Sequence, residues 1–521
     1  MKDLDPALIA ALKRPEAYAP PAAAIEHIET HISHVFLAGD FAYKLKKPVD
    51  FGFLDFSTLD KRRAACAEEL RLNRRLAPDF YLDVVPVCRG PDGFRFSTGG
   101  CRDGESEIEV AVRMRRFPQD ALLDALAQRG ELTLAHMTDI ARQLARFHAT
   151  AQRGPEINRY GQVECVREPV MQNFTQTEPY IGRSVGAEKH AELRSRAERF
   201  LATHAERFAA RIAQGRIVDG HGDLHLRNMF LDRNRIVVFD CIEFNPALRA
   251  GDAMNDIAFL VMDLLHRGLP AHANRFLNDY LVQTRDYGGL VLLDFYAFYR
   301  ACVRAKVMSF ESDTATPAMR AAIEREAAAY FDLAGRLLAP RRGGMLITCG
   351  LSGSGKTTVA HEVARILDGV VVRSDALRKH LAGIPLTVRG DAPGKNIYTA
   401  EMTERTYSAL LEHAREIAAS GRWIILDAVY GRRDERETAA ALARELGIPF
   451  GILYCEAPRE ELERRLLARA AAGSDISDAT VDVLAGQLVH FEPPAREENA
   501  KPVSSSGTDA EFAALLSVWP R

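Results

Sequence analysis

The spacing of apolar and polar positions changes its period twice along the chain. In the first hundred residues it alternates with the period of two that marks strands. "HVFLAGDFAYKLKK" reads as two strands joined at Gly39-Asp40, and "VVPVCRGPDGFRFS" as a second hairpin turning at Pro91, Asp92 and Gly93. Between them the charged run 60–77, "DKRRAACAEELRLNRRLA", reads as a helix, and "EIEVAVRMRRF" (107–117) as a further strand. From about residue 119 the period becomes helical, and 187–213 reads as one long amphipathic helix. A short loop, "HGDLHLRN" (221–228), and a strand, "RIVVFD" (235–240), follow it; helical segments then run to about residue 338. After the break "APRRGG" (339–344) the pattern becomes strand, loop, helix: "MLITCG" (345–350), a Gly-rich loop, then "KTTVAHEVARILDG" (356–369). "VVVRSD" (370–375) and "RWIILDAVY" (422–430) are further buried-strand candidates, and this alternation is the α/β signature.

A chain of 521 residues is too long for one core, so the pattern is read as two modules. An α+β module occupies 1–338, with lobes at about 25–117 and 118–338; residues 339–344 link it to an α/β module with a parallel sheet at 345–521. Apolar content of 47% and charged content of 27% fit a soluble enzyme, and a net charge of −3 supplies no global basic field for nucleic acid. No apolar run approaches the roughly 18 residues of a membrane span, and "MKDLDPALIAALKRPEAYAPP" lacks the apolar core of a signal peptide. The eight cysteines are scattered without C-x-x-C spacing or a disulfide-like cluster, so a reducing cytoplasm is the simplest location.

Candidate chemistry sits in two loops. "GLSGSGKT" fills the pattern G-x-x-x-x-G-K-[ST] with Gly350, Gly355, Lys356 and Thr357. Backbone N–H groups of such a loop wrap phosphate oxygens, and the helix that starts there adds its positive end. Ser352, Gly353, Ser354 and Thr358 complete the expected nucleotide contacts; Lys356 reaches the β- and γ-phosphates of ATP, and Thr357 ligates Mg²⁺. Asp427, ending "WIILD", is a second candidate metal ligand or a strand-end turn residue. Asp375 stands where a strand gives way to a helix, as a proton acceptor or simply as a helix cap. Its strand is expected beside the one that feeds the Gly-rich loop, so that both open on one crevice. Arg378, three residues on, suits an anionic substrate; Arg465 and Arg469, four apart on one helix face, suit a clamp on phosphates or an ordinary solvated face. The pieces "GLSGSGKTT", "RSDALRKHLAG", "IILDAVY" and "ELERRLLAR" resemble the P-loop kinase group of polynucleotide 5′-hydroxyl kinases, zeta-type toxins and gluconate kinases. The resemblance implies a base role for Asp375, substrate anchoring by Arg378 and a lid role for Arg465 and Arg469.

"HGDLHLRN" places Asp223 to orient or deprotonate an acceptor hydroxyl and Asn228, five residues on, to reach a metal ion. The strand "VVFD" delivers Asp240 as the second metal carboxylate. A site of this kind needs a lysine on an early strand and a glutamate on the next helix. "FAYK" nominates Lys44, with Lys46 on the same strand face in reserve; "CAEELRLN" nominates Glu69 over its neighbour Glu68. "HGDLHLRN", "VVFDCIEF" and "GDAMNDIAFL" resemble the aminoglycoside phosphotransferase and choline-kinase-like branch of the protein kinase fold, in which Asp252 and Asp256 resemble a structural acidic pair. The Gly-rich nucleotide loop of that branch is missing; "THIS" stands there, offering the hydroxyls of Thr30 and Ser33. The order of the two modules resembles a bacterial group in which such a domain is fused to a P-loop kinase.

The expectation is a bifunctional ATP- and Mg²⁺-dependent kinase acting on hydroxyls of small molecules. Two alternatives stand beside it: the second module is a nucleic acid 5′-hydroxyl kinase, or the first is a nucleotide-binding regulator of a single P-loop kinase. The oligomeric state has no signature in the sequence.

Overall fold

A computed structural model describes residues 3–52, 54–91, 93–388, 397–472 and 476–519. Asp92, expected in the second hairpin turn, lies outside the described residues. Backbone contacts group the chain into two compact units. One runs up to His136 and includes Arg146–Gln172 and Leu201–Asp263; the other includes Met137–Ala145, Asn173–Phe200 and everything from Leu264 onward.

The first unit is built on an antiparallel six-stranded sheet in the order β1-β2-β3-β6-β4-β5. Its strands are β1 (Ile25–Glu29), β2 (Ser33–Ala38), β3 (Phe41–Lys46), β4 (Tyr81–Gly90), β5 (Gly93–Phe96) and β6 (Ser106–Arg115). Gly39, at φ +56, makes the β2–β3 turn, a conformation glycine takes without strain. Helix α1 (Leu59–Asn73) follows β3; Thr58 caps it by accepting the N–H of Lys61, and it buries Cys66, Glu69, Leu72 and Asn73 on one face. Cys88 on β4 and Cys101 beyond β5 form a disulfide, against the cysteine-free-of-pairing expectation. Their sequence spacing carries no motif; the hairpin folding back on itself is what makes them meet, with Cα atoms 5.5 Å apart.

The run 187–213 is two helices, α2 (Ala187–Thr203) and α3 (Ala205–Ala213), broken at His204. On the second of these helices Arg211 is buried in a two-pronged ion pair with Asp252, at 2.6 and 2.7 Å. Two small pairings frame the "HGDLHLRN" loop: β7 (Ile217–Asp219) with β10 (Ala250–Asp252), and β8 (Met229–Asp232) with β9 (Arg235–Val238). Helix α4 (Ala253–His266) follows.

The second unit joins the helices α5 (Pro270–Thr284), α6 (Leu290–Thr314) and α7 (Pro317–Leu337) to a parallel sheet. The sheet order is β12-β13-β11-β14-β15, for β11 (Met345–Cys349), β12 (Val370–Arg373), β13 (Ile424–Asp427), β14 (Phe450–Tyr454) and β15 (Lys501–Pro502). β11 and β13 are buried along their whole length, as continuous apolar runs in a covered parallel sheet must be. Helix α8 (Lys356–Leu367) leaves the Gly-rich loop, and α9 (Ser374–Leu381) leaves β12. β12 does not lie beside β11; it pairs with β13, which fills the slot between them. The crossover through α8 carries the chain one strand position further than expected. All strands are parallel, so both strand ends still open on the same edge of the sheet.

Two candidate phosphotransfer sites

The first site is held together from beneath the "HGDLHLRN" loop. Asp256 accepts the backbone N–H groups of His221 and Gly222, each at 2.7 Å, and a third bond from His148 at 3.2 Å. Gly222 takes φ +85 against the Leu248 carbonyl, where a Cβ has no room. Burial lowers the pKa of His221, so its ring is neutral; Nε2–H donates to the Phe239 carbonyl at 3.0 Å while Nδ1 accepts the N–H of Asp223 at 3.3 Å. One imidazole thereby ties the loop to the residue preceding Asp240.

Asn228 Nδ2 donates to the Asp223 carboxylate at 2.8 Å and to its carbonyl at 3.0 Å. Lys44 Nζ donates to Glu69 at 2.9 Å and to Asp240 at 2.8 Å. Lys46 meets the other oxygen of Glu69 at 2.7 Å and also pairs with Glu243. Both lysines therefore converge on Glu69, whereas Glu68 faces outward to Arg71. Burial opposes each charge, but the opposite charges outweigh it: Lys44 is pushed well up, and Glu69 is held at about 2. Lys44 alone of the two lysines lines a cavity of about 490 Å³. Ile28, Val35, Ala42, Met114 and Phe239 make that cavity an apolar slot suited to a planar base, and Asp240 also lines it.

The "THIS" segment forms a closed turn. Thr30 Oγ1 accepts the N–H of Ser33 at 2.9 Å and donates to the Ser33 carbonyl at 3.1 Å, so this hydroxyl is already engaged. Ser33 Oγ is buried without a partner.

The second site is a cleft of about 650 Å³ at the carboxyl edge of the parallel sheet. Lys356, Thr357, Asp375, Arg378, Asp427 and Arg465 all line it, as do Ser352, Gly353, Gly355, Thr358 and Arg469. The Gly-rich loop depends on Gly350, Gly353 and Gly355 at φ +145, +87 and +93. Thr357 Oγ1 donates to Asp427 at 2.7 Å, a hydroxyl and a carboxylate of the kind that would hold Mg²⁺. Burial lowers Lys356 despite nearby Asp427, and burial raises Asp427 despite Arg373 and Lys356. Ser354 Oγ is buried with no partner, and Lys356 Nζ is parked on the Leu351 carbonyl at 2.8 Å. Lys356, Thr357 and Asp427 line the cleft and fit the phosphates and metal of Mg–ATP, whereas Ser354, expected among the nucleotide contacts, does not line it.

Asp375 is not the cap of α9: Arg373 holds that position, and Asp375 lies in the first turn facing the cleft. Arg378 is 7% exposed. It donates from Nη1 to the Ile397 carbonyl at 3.0 Å and Thr403 Oγ1 at 3.1 Å, and stacks over Tyr398 at 5.0 Å. Its Nε has no partner, and it forms no ion pair with a carboxylate among the described residues, although Asp375 and Glu435 line the same cleft. Helix α10 (Arg459–Ala472) carries Arg465, which donates to Glu461 at 2.6 Å and to the Gly353 carbonyl at 3.3 Å; Arg469 donates to the Ala479 carbonyl at 3.3 Å. Sequence reasoning missed Tyr398 and Thr403, which hold Arg378, and Gln487, on α11 (Val481–His490), which accepts the N–H of Ser352 at 2.9 Å. Each contact spans a long stretch of chain, and no local motif marks it.

Residues 53–293 match the family model described as "Phosphotransferase enzyme family", and residues 345–494 match the one described as "AAA domain". The uncharacterized protein Rv2004c of Mycobacterium tuberculosis is 31% identical over 477 residues, covering 91% of this chain and 92% of that protein. The adenylyl-sulfate kinase of Myxococcus xanthus is 31% identical over 156 residues, 29% of this chain and 72% of that enzyme. Among solved structures, a choline/ethanolamine kinase family protein from Mesorhizobium loti covers 64% of this chain and 95% of its own, at 12% identity and a TM-score of 0.40. With a phosphotransferase-type kinase module followed by a P-loop kinase module, and a match along nearly the whole of Rv2004c, the chain belongs to the two-module kinase family that includes that protein.

Proposed function

We propose that the protein is a bifunctional phosphotransferase in which each module moves the γ-phosphate of ATP to a hydroxyl of a small-molecule acceptor, with the module boundary in 339–344. The observation that carries the reading for the second module is Arg378: a buried guanidinium, with no carboxylate paired to it among the described residues, on the wall of a cleft that also holds Lys356 and Asp375. A buried charge that faces a cavity without a direct ion pair is favoured by a ligand that supplies the counter-charge, so the acceptor of this module is read as an anionic small molecule. Asp375 takes the proton of the acceptor hydroxyl as its oxygen bonds to the γ-phosphorus and the bond to the β–γ bridging oxygen breaks, releasing ADP. Lys356, Arg465 and Arg469 hold phosphate oxygens. Thr357 and Asp427 would hold Mg²⁺, which would supply positive charge to the β- and γ-phosphates. In the first module Asp223 plays the part of Asp375, Lys44 held by Glu69 meets the α- and β-phosphates, and Asn228 and Asp240 hold the metal.

The engaged hydroxyl of Thr30 favours a second reading of the first module, as a nucleotide sensor for the other. A screen of ATP-dependent phosphate transfer separates the readings, using carboxylated, sulfated and phosphorylated metabolites, aminoglycosides and 5′-hydroxyl oligonucleotides. The proposal expects one acceptor whose phosphorylation is lost with Asp375→Asn and another lost with Asp223→Asn. For the anionic acceptor, Arg378→Ala raises KM by about tenfold or more, the worth of one charge-assisted contact. A single acceptor, sensitive to Asp375→Asn alone, makes the first module the sensor. Transfer only to oligonucleotides contradicts the small-molecule reading.

A further inference from the structure

Helix α5 lies inside the stretch that matches the phosphotransferase family, yet its side chains complete the edge of the P-loop sheet. β12 is an edge strand, paired with β13 alone. An edge strand leaves alternate N–H and C=O groups without a ladder partner. Here two carboxamides take them. Asn278 Oδ1 accepts the N–H of Val371 at 2.7 Å, and Asn278 Nδ2 donates to the Gly369 carbonyl at 3.1 Å. Asn274, one helical turn earlier, donates to the same carbonyl at 2.9 Å. Asn278 Nδ2 also reaches Asn274 Oδ1 at 3.1 Å, so the two amides hold each other's orientation. Asn278 is fully buried and Asn274 nearly so. One carboxamide spanning a C=O and the N–H two residues on reproduces what the peptide group of a neighbouring strand would provide. An apolar residue of the same size cannot do this.

The same helix also touches α9. His380 Nε2 donates to the Val282 carbonyl at 2.8 Å, and the Val282 side chain packs with Ala376, Leu386 and Ile476. Contacts at Gly369, Val371, Ala376 and His380 therefore bracket Asp375 and Arg378. Neither asparagine lines the cleft.

We propose that Asn274 and Asn278 are positioning residues for the P-loop kinase: through them α5 fixes β12 and sets Asp375 and Arg378 against Lys356. This rests on the reading of Asp375 as proton acceptor. It gives the joining of the two modules a physical role, since a helix from the phosphotransferase-matching stretch supplies the wall on which the acceptor side of the other site is built.

The test uses the full chain carrying Lys44→Ala, so that the second site alone reads, with ATP hydrolysis by water as the measured reaction. Asn278→Asp keeps the volume and removes the donor. It is expected to lower kcat about tenfold, the effect of a small misplacement of a reacting group, while KM for ATP moves less than about twofold. Amide hydrogen exchange is expected to quicken in residues 370–381 and not in 356–367. An unchanged kcat with unchanged exchange overturns the inference, as does faster exchange throughout the module, which marks general destabilisation. Asp375→Asn, measured in parallel, separates the two layers. If it leaves kcat intact, the proton-acceptor reading falls, and the exchange pattern of Asn278→Asp still decides whether α5 fixes β12. If Asn278→Asp does not accumulate as folded protein, Asn274→Ala is measured the same way, with about a threefold loss of kcat expected.

Discussion

At the scale of single residues, buried carboxylates such as Asp252 and Asp256 hold the first site in shape by accepting several bonds each. Asp256 is the clearest case. Burial pushes its carboxyl up, but bonds from His148 and the His221 and Gly222 backbone outweigh this and hold it at about 2, against an ordinary value of 3.8. A carboxyl depressed in the folded state stabilises at pH values above its unfolded pKa, and that stabilisation is lost as pH falls through the folded value. The contribution is about 2 kcal/mol, fading between roughly pH 4 and pH 2. Asp256→Asn is accordingly expected to melt below wild type at pH 6, with the two converging as pH approaches 2; a gap that persists at pH 2 contradicts this. Asp223 answers to a different measurement. If Asp223 is the base and Asp240 a metal ligand, Asp223→Asn is expected to preserve ATP affinity at the first site and cut turnover by about 10²–10⁴, whereas Asp240→Ala is expected to weaken Mg–ATP binding. Equal turnover of Asp223→Asn and wild type on a true acceptor removes the proposed base. The acidic pair Asp252 and Asp256 was readable in the sequence as structural. Its partners Arg211 and His148 were not, because they lie 41 and 108 residues away along the chain.

At the scale of elements, the Gly-rich loop was legible in full because its geometry is local: three glycines at positive φ, a strand before and a helix after. Gly355 shows how little the loop tolerates. At φ +93 an added Cβ is strained, and it would also overlap the Ser505 side chain. Gly355→Ala is expected to destabilise the second unit by about 1–3 kcal/mol, and calorimetry should show nucleotide affinity there weakened by about tenfold or more. Wild-type affinity in a folded Gly355→Ala protein contradicts the geometry. The place of β12 in its sheet was not legible, because strand order is set by crossovers and long-range pairing rather than by the period of the strand itself. The break between α2 and α3 was hidden because the apolar period runs on across His204. The Cys88–Cys101 pair joins β4 to the connection between β5 and β6, a meeting that a cysteine count does not reveal.

At the scale of the whole molecule, the residues of the short break 339–344 are not a free tether. Arg341 donates to Asp294 at 2.7 Å and to Asp368 at 2.8 Å, and Arg422 joins the same two carboxylates. Helices read from sequence as the end of the first module pack in one compact unit with the P-loop sheet. No helix among the described residues is long and apolar enough to cross a membrane. At the centre of the proposed function are two nucleotide sites that share this chain and bind independently. Calorimetric titration of the full chain with Mg²⁺ and a non-hydrolysable ATP analogue tests it most directly. Two sites are expected for wild type, one each for Lys44→Ala and Lys356→Ala, and none for the double variant. A single site in the wild-type chain, or loss of all binding in folded Lys356→Ala, would contradict it.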